Sequence, residues 1–418
     1  MAILTGLSGN EMYCLKQKGY DAGNLVIGNS VFALGFVGSI GSGFNTLMGG
    51  EVTPVTKVIH DGRKQSYERM MREVKTHGGV GVSGISSDLV FHGTNIEFLS
   101  IGSTLHKAND GIDNQTEGSQ LEPTFSASAD GQALFCQMDC GFQPVEFVFG
   151  NVAYSIGVRG GILGSLRSLG RGEVKEYSDI FHKTRHLALD RITDEARCAG
   201  ANAVLGIQTS VSPLGAMQEM LMIGTASKHP LLPAQYSESP ISSDLTNLEM
   251  WNVFNMGYCP MKLMLGVSVF SLGVIGGISA SIKALVRGEI SELTTLIYEA
   301  RENALQKVSQ QAADCGADDV IGIKTYISDL GGGILELMAI GTAVKKSSDI
   351  KPLSPTLLTQ AVIKDQQTFF KSVDISMGIS LNQPTRSLQN SFWVTIIIVI
   401  YVIAVVLLKG LKIGITGQ

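Results

Sequence analysis

The densest set of potential ligands in this chain is His182, His186 and Asp190, spaced i, i+4, i+8. On a helix that spacing lines up three donors along one face, and imidazoles four residues apart are a recurrent way to hold zinc. A divalent or heavy-metal ion is the cofactor such a set would take. A metal centre shared by a repeated chain is expected in every copy, and this one recurs only in part. His60, Lys64 and Glu68 hold the matching positions in an earlier segment, and Tyr298, Glu302 and Gln306 in a later one. That incomplete recurrence favours a solvated helix face. Cys136 and Cys140 lack the second pair that would complete a tetrahedral site, and in a strand they would stand about 13 Å apart. Packing is the expected role for them, as for Cys198 and Cys315.

Carboxylates recur more faithfully. Gly-Glu pairs stand at Glu51, Glu173 and Glu289, each just before a long helical segment. They could act as general bases, but charge at a helix N-terminus accounts for them. Glu97, Glu219 and Glu336 each sit in an apolar strand just before a Gly-Thr or Gly-Ser turn. On a solvent-facing position they need no explanation; in a ring they would line the lumen or pair with a neighbour's Arg. No nucleophile elbow, phosphate loop or dinucleotide fingerprint recurs, so an enzyme is not expected.

The elements that carry these residues are three copies of one unit. Segments beginning at Tyr13, Phe135 and Trp251 align with Gly28, Gly150 and Gly266 in register. Further glycines match at Gly78, Gly200 and Gly316, and again at Gly102, Gly224 and Gly341. In the third copy LMLGVSVFSLGVIGG reads as one or two short strands buried on both faces. An apolar stripe through Ile290, Leu293, Ile297, Ala300, Ala304, Val308 and Ala312 then predicts a helix of about 26 residues. Gly316 stands where a left-handed cap belongs. ADDVIGIKTYIS and ILELMAIGTAV follow as a hairpin. The fold class is α+β: three tandem small β-sheet domains, each with one long helix. One helix covers one face of so small a sheet, so neighbouring repeats or other chains must cover the rest.

Composition agrees with packed domains. The chain has 418 residues, 44% of them hydrophobic, and a net charge of −5. Without a dense Lys/Arg field, nucleic acid is not an expected partner. The six cysteines share no common framework, and the N-terminus MAILTGLSGNEMYCLKQ has no signal-peptide pattern, so a reducing compartment is expected.

The segments GANAVLGIQTSV…EMLMIGTA, GADDVIGIKTYI…ELMAIGTA and GGVGVSGISSDL…EFLSIGST, with Arg171-Gly172-Glu173 and Arg287-Gly288-Glu289 before the long helices, resemble the YbjQ family. Copy one departs, with Gly49-Gly50-Glu51 and Gly78-Gly79-Val80-Gly81 at those places. The resemblance implies closed, five-membered rings, and carries an expectation of heavy-metal binding.

The expected organisation is repeat 1 over 13–107, a linker over 108–132, repeat 2 over 133–228, a linker over 229–248, repeat 3 over 249–346 and a stalk over 347–390. A membrane helix is expected over 391–411, then a short tail over 412–418. Its core, Phe392 to Leu408, carries no charge over seventeen residues, near the lower limit for a bilayer span. Trp393 and Tyr401 add aromatic character, with Trp393 at the interface, and Lys409 can snorkel beyond the far end. The expectation is a single-pass, tail-anchored protein with its repeats in the cytosol. It assembles with itself into rings or a cage, five-fold or a multiple, as a scaffold. The alternative is a metal or small-ligand binder using the lumen or the inter-domain clefts.

Overall fold

A computed structural model describes residues 2–33, 50–92, 95–108, 122–155, 172–214, 217–271, 291–331, 334–347 and 349–357, all within one compact unit, Met1–Gln360. Each repeat opens with a nine-residue helix: α1 (Gly9–Gln17), α3 (Gly131–Asp139) and α6 (Asn247–Asn255). Ser8, Asp130 and Thr246 cap them. The Ser8 and Thr246 hydroxyls accept from the backbone N–H of Glu11 and Glu249, whose carboxylates reach back to the cap N–H. This short helix was not foreseen. It changes the geometry of Cys136 and Cys140, which are not on a strand but at α3 and its C-cap, with both thiols buried.

A single long strand follows in each repeat: β1 (Tyr20–Ala33), β6 (Gln143–Ser155) and β11 (Tyr258–Ser271). After it comes a 24-residue helix, α2 (Thr53–Thr76), α4 (Lys175–Cys198) or α7 (Ser291–Asp314). The hairpins are β3 (Gly81–His92) with β4 (Asn95–Lys107), β8 (Ala203–Leu214) with β9 (Met217–Lys228), and β12 (Asp319–Gly331) with β13 (Ile334–Lys346). In every repeat the second hairpin strand is central, antiparallel to the first hairpin strand on one side and to the long strand on the other. The α+β reading with a sheet and one long helix per repeat holds.

Two sets of matched glycines have distinct physical reasons. A Cβ at Gly28, Gly150 or Gly266 would lie 2.0 Å from the carbonyl oxygen of Ser66, Ala188 or Ala304. The long helix therefore rests directly on strand backbone, a contact that any side chain would prevent. Gly78, Gly200 and Gly316 follow the long helices with φ of +64°, +74° and +70°, the left-handed stop expected of a C-terminal glycine.

The Gly-Glu pairs correct the sequence reading. Gly50–Glu51 (β2) and Gly172–Glu173 (β7) are not first-turn residues of a helix but two-residue strands. β2 pairs antiparallel with Tyr154 and Ser155 of repeat 2, and β7 with Phe270 and Ser271 of repeat 3. The long helices begin two residues later behind Val52 and Val174, which make no side-chain cap. Glu289 lies outside the described residues.

The linkers also hold structure. Phe125–Ser126 (β5) runs parallel to Gly81–Val82 in repeat 1, and Ile241–Ser242 (β10) parallel to Ala203–Val204 in repeat 2. A short helix, α5 (Gln235–Glu238), precedes β10. The Phe125 ring fills the space over Gly81. The middle sheet thus has five strands, ordered β10-β8-β9-β6-β2, and receives a strand on both edges. The opening helices gather around the buried Asp139 carboxylate, which accepts from Lys18 Nζ at 2.7 Å, Trp251 Nε1 at 2.8 Å and Ser354 Oγ at 2.7 Å.

Candidate functional site at the junctions between repeats

In repeats 1 and 2 the long helix uses two faces: one lies on its own sheet, and the other lies on the first strand of the next repeat, α2 against β6 and α4 against β11. The backbone joins first: Val52 N–H donates to Ala153 O, and Val174 N–H to Val269 O, both at 2.8 Å. Thr56 Oγ1 accepts from Ala153 N–H at 3.0 Å, and Ser178 Oγ from Val269 N–H at 2.8 Å. The two junctions are constructed alike.

At the centre of each lies a buried ion pair. Arg63 Nε and Nη2 donate to the Glu219 carboxylate at 3.1 and 2.8 Å, while Nη1 donates to Ser87 O and Oγ. Arg185 Nε and Nη2 donate to Glu336 at 2.9, 2.8 and 2.7 Å, with the guanidinium carbon 4.1 Å from the Tyr154 ring centroid. These four side chains are 1–3% exposed. Glu219 and Glu336 therefore occupy no solvent-facing position: each meets an arginine from the preceding repeat. Glu97, in repeat 1, stays partly exposed and accepts instead from Asn29, with His92 Nε2 at 2.6 Å.

The arginines went unnoticed in the sequence. Arg63, Arg185 and Arg301 hold one position of the three long helices, and that recurrence was the available signal.

The Gly-Glu carboxylates serve the same junctions. Glu51 accepts from Arg191 Nη2 at 2.7 Å, and Glu173 from Lys307 Nζ at 3.2 Å and Ser268 Oγ at 3.3 Å. Gly102 and Gly224 admit the Val82 and Val204 side chains, whose Cγ1 atoms would lie 2.6 and 2.8 Å from an added Cβ; at Gly341 the nearest are Val320 and Ile323 Cγ1 at 3.0 Å.

Titratable groups at the first junction are displaced by burial. His60 stacks on Phe149 with centroids 5.0 Å apart, and burial lowers its pKa. Its Nε2 is 4.0 Å from Glu195, whose pKa burial raises to about 7 even though Phe149 N–H donates to the carboxylate at 2.9 Å. Burial likewise pushes the Cys136 thiol up to about 12, so it is held protonated.

The proposed metal ligands do not assemble. His182 and His186 do meet, their ring centroids 4.2 Å apart. His186 Nδ1 donates to the His182 carbonyl at 2.9 Å, while His182 Nδ1 is buried without a hydrogen bond. Burial, reinforced by His186, lowers the His182 pKa to about 4. Asp190 is exposed, a further turn along. No group of three or more His, Cys, Asp or Glu placed to hold a metal occurs among the described residues. As placed here, His182, His186 and Asp190 do not fit a resident metal.

No helix among the described residues is long and apolar enough to cross a membrane. Phe392, Trp393, Tyr401, Leu408 and Lys409, on which that expectation rests, lie outside the described residues.

The profile of the YbjQ family, described as "Putative heavy-metal-binding", matches residues 16–102, 142–229 and 260–347. The chain belongs to this family, in three tandem copies. An encapsulin nanocompartment protein of Mycobacterium tuberculosis is 29% identical over 216 residues, covering 50% of this chain and 79% of that protein. UPF0145 proteins of Methanoregula boonei and Methanocella arvoryzae are 38% and 41% identical over 93 residues, each alignment covering 22% of this chain and 78% of the relative.

Proposed function

We propose that the chain is a structural subunit, a self-assembling ring- or cage-like scaffold without catalytic activity. The observation that carries this reading is the repeat-to-repeat junction, built twice in one chain from matched residues, with Arg63–Glu219 and Arg185–Glu336 at its two centres. The residues shared by the copies are glycines, strand ends and junction partners, which serve assembly. The relative named as an encapsulin nanocompartment protein supports the same reading. In this proposal the uncharged run from Phe392 to Leu408 holds the scaffold to a bilayer. The repeats face the cytosol, consistent with six cysteines of which none forms a disulfide.

Light scattering of the full chain in detergent at micromolar concentration tests the assembly. Multimers of defined mass are expected; a monomer throughout that range would overturn the proposal. Membrane fractionation of the full chain and of a variant lacking 391–411 tests the anchor, with only the full chain expected in the pellet.

A further inference from the structure

Repeat 1 and repeat 3 each expose one half of the junction that the chain builds twice internally. We infer that repeat 3 of one chain docks on repeat 1 of a second copy, setting Arg301 against Glu97; this rests on the scaffold reading above.

The acceptor half is on β1. Its outward residues Leu25, Ile27 and Val31 are exposed, Ile27 to 48%. Their counterparts on the later strands, Phe147, Phe149 and Ala153, then Leu263, Leu265 and Val269, are all buried, Phe149 to 4% and Leu265 to 0% exposure. Burial there comes from the preceding repeat's helix, and no repeat precedes β1 in the described residues. An apolar strand face of this kind marks an interaction surface. Glu97 stands beside it at the position where Glu219 and Glu336 receive their arginines.

The donor half is on repeat 3. Arg301 is partly exposed and has no hydrogen bond or ion pair with another described residue, whereas Arg63 and Arg185 are buried in ion pairs. Tyr298, at the position of His60 and His182, is 59% exposed. On β12, Ile323 is 46% exposed, while Ile85 and Ile207 at the same position are buried, in core clusters that include Phe149 and Leu265 of the following repeats respectively.

The two halves are complementary because each is one side of a contact already present in the chain. A second copy is therefore the occupant with matching chemistry: apolar strand against helix, and a guanidinium against a carboxylate. Such a contact is heterologous, so it continues from chain to chain until a ring of two or more chains closes.

The test uses the full chain with the accessible thiols removed (Cys198→Ser, Cys259→Ser and Cys315→Ser) and carrying Ile27→Cys and Tyr298→Cys, the counterparts of the stacked Phe149 and His60, treated with a short bismaleimide. A ladder of covalent multimers is expected, while either single cysteine variant gives none. Adding Arg301→Glu is expected to reduce the ladder about 100-fold, as loss of one partner of a buried pair does, and adding Glu97→Arg as well is expected to restore it. Absence of a ladder, a ladder indifferent to Arg301→Glu, or no recovery in the swapped pair would each overturn the inference. If the wild-type chain scatters as a multimer while the ladder is absent, the scaffold reading stands and only this docking fails. A monomeric wild type removes both.

Discussion

Arg185 and Glu336 stand 151 residues apart in sequence and meet at 2.7 Å in the dry interior between two repeats. The pair fixes the second junction. Its charges gain little over an apolar pair of similar volume, but either one left alone is costly. Arg185→Met is therefore expected to destabilise the chain by about 3–5 kcal/mol, with Arg185→Met plus Glu336→Leu recovering most of it. Urea unfolding of the three proteins, compared by midpoint, checks this. Equal losses in the single and double variants would show that the pair is not what matters.

Glu195 gives the first junction a pH dependence. Its folded pKa is raised to about 7, so the fold favours the protonated acid. The benefit is fully present below the unfolded pKa of about 4.3 and is lost as pH rises through 7. Repeat 3 carries Gln311 at this position, accepting from Leu265 N–H as Glu195 accepts from Phe149 N–H. Glu195→Gln is expected to stabilise the chain by about 1 kcal/mol at pH 8, after allowance for the one-third exposure of the carboxylate, and to change little at pH 5. Thermal melts at the two pH values decide; a gain confined to pH 5 would reverse the assignment.

His182 predicts the opposite trend. Its lowered folded pKa leaves the neutral ring favoured, so the stability it permits is present above about pH 6.5 and declines as the pH falls toward 4. His182→Phe is expected to relieve about 1 kcal/mol of that acid loss at pH 5. The metal content of untagged protein, measured by elemental mass spectrometry, is expected to be the same in wild type and variant. A stoichiometric metal lost with His182 would restore the three-ligand site that the geometry speaks against.

His92 competes for Glu97. The other repeats have Leu214 and Leu330 at its position, both buried, and only repeat 1 sets an imidazole against the carboxylate. His92→Leu is expected to free Glu97 for a second chain and lower the concentration needed for end-to-end association about tenfold. Concentration-dependent light scattering checks this; weaker association would mean that His92 orients Glu97 rather than occupying it.

What could be read from the sequence divides along contact range. The matched glycines, the stripe through Ala300, Ala304 and Val308, and the hairpin signals are local, and each named the element that forms. The Gly-Glu pairs were misplaced because their partners, Tyr154 and Phe270, lie in the next repeat. A helix start and an added strand read alike until that partner is known. Arg63 and Arg185 were overlooked for the same reason: an arginine on an amphipathic helix looks solvated unless a neighbour buries it. His182 and His186 have ligand spacing, but spacing alone does not show that one ring nitrogen is dry and another already donates to backbone.

The junction's polarity limits stoichiometry. The long helices of repeats 1 and 2 each pass their outer face to the following sheet, in one direction only, and the chain carries three matched copies. Any closed circuit of whole chains joined this way therefore contains repeats in multiples of three. Two chains make a six-repeat circle and five chains a fifteen-repeat one, whereas a circle of five repeats would have to cut a chain. In the assembly proposed above, closure therefore counts whole chains, and a five-fold ring would be five polypeptides rather than five repeats.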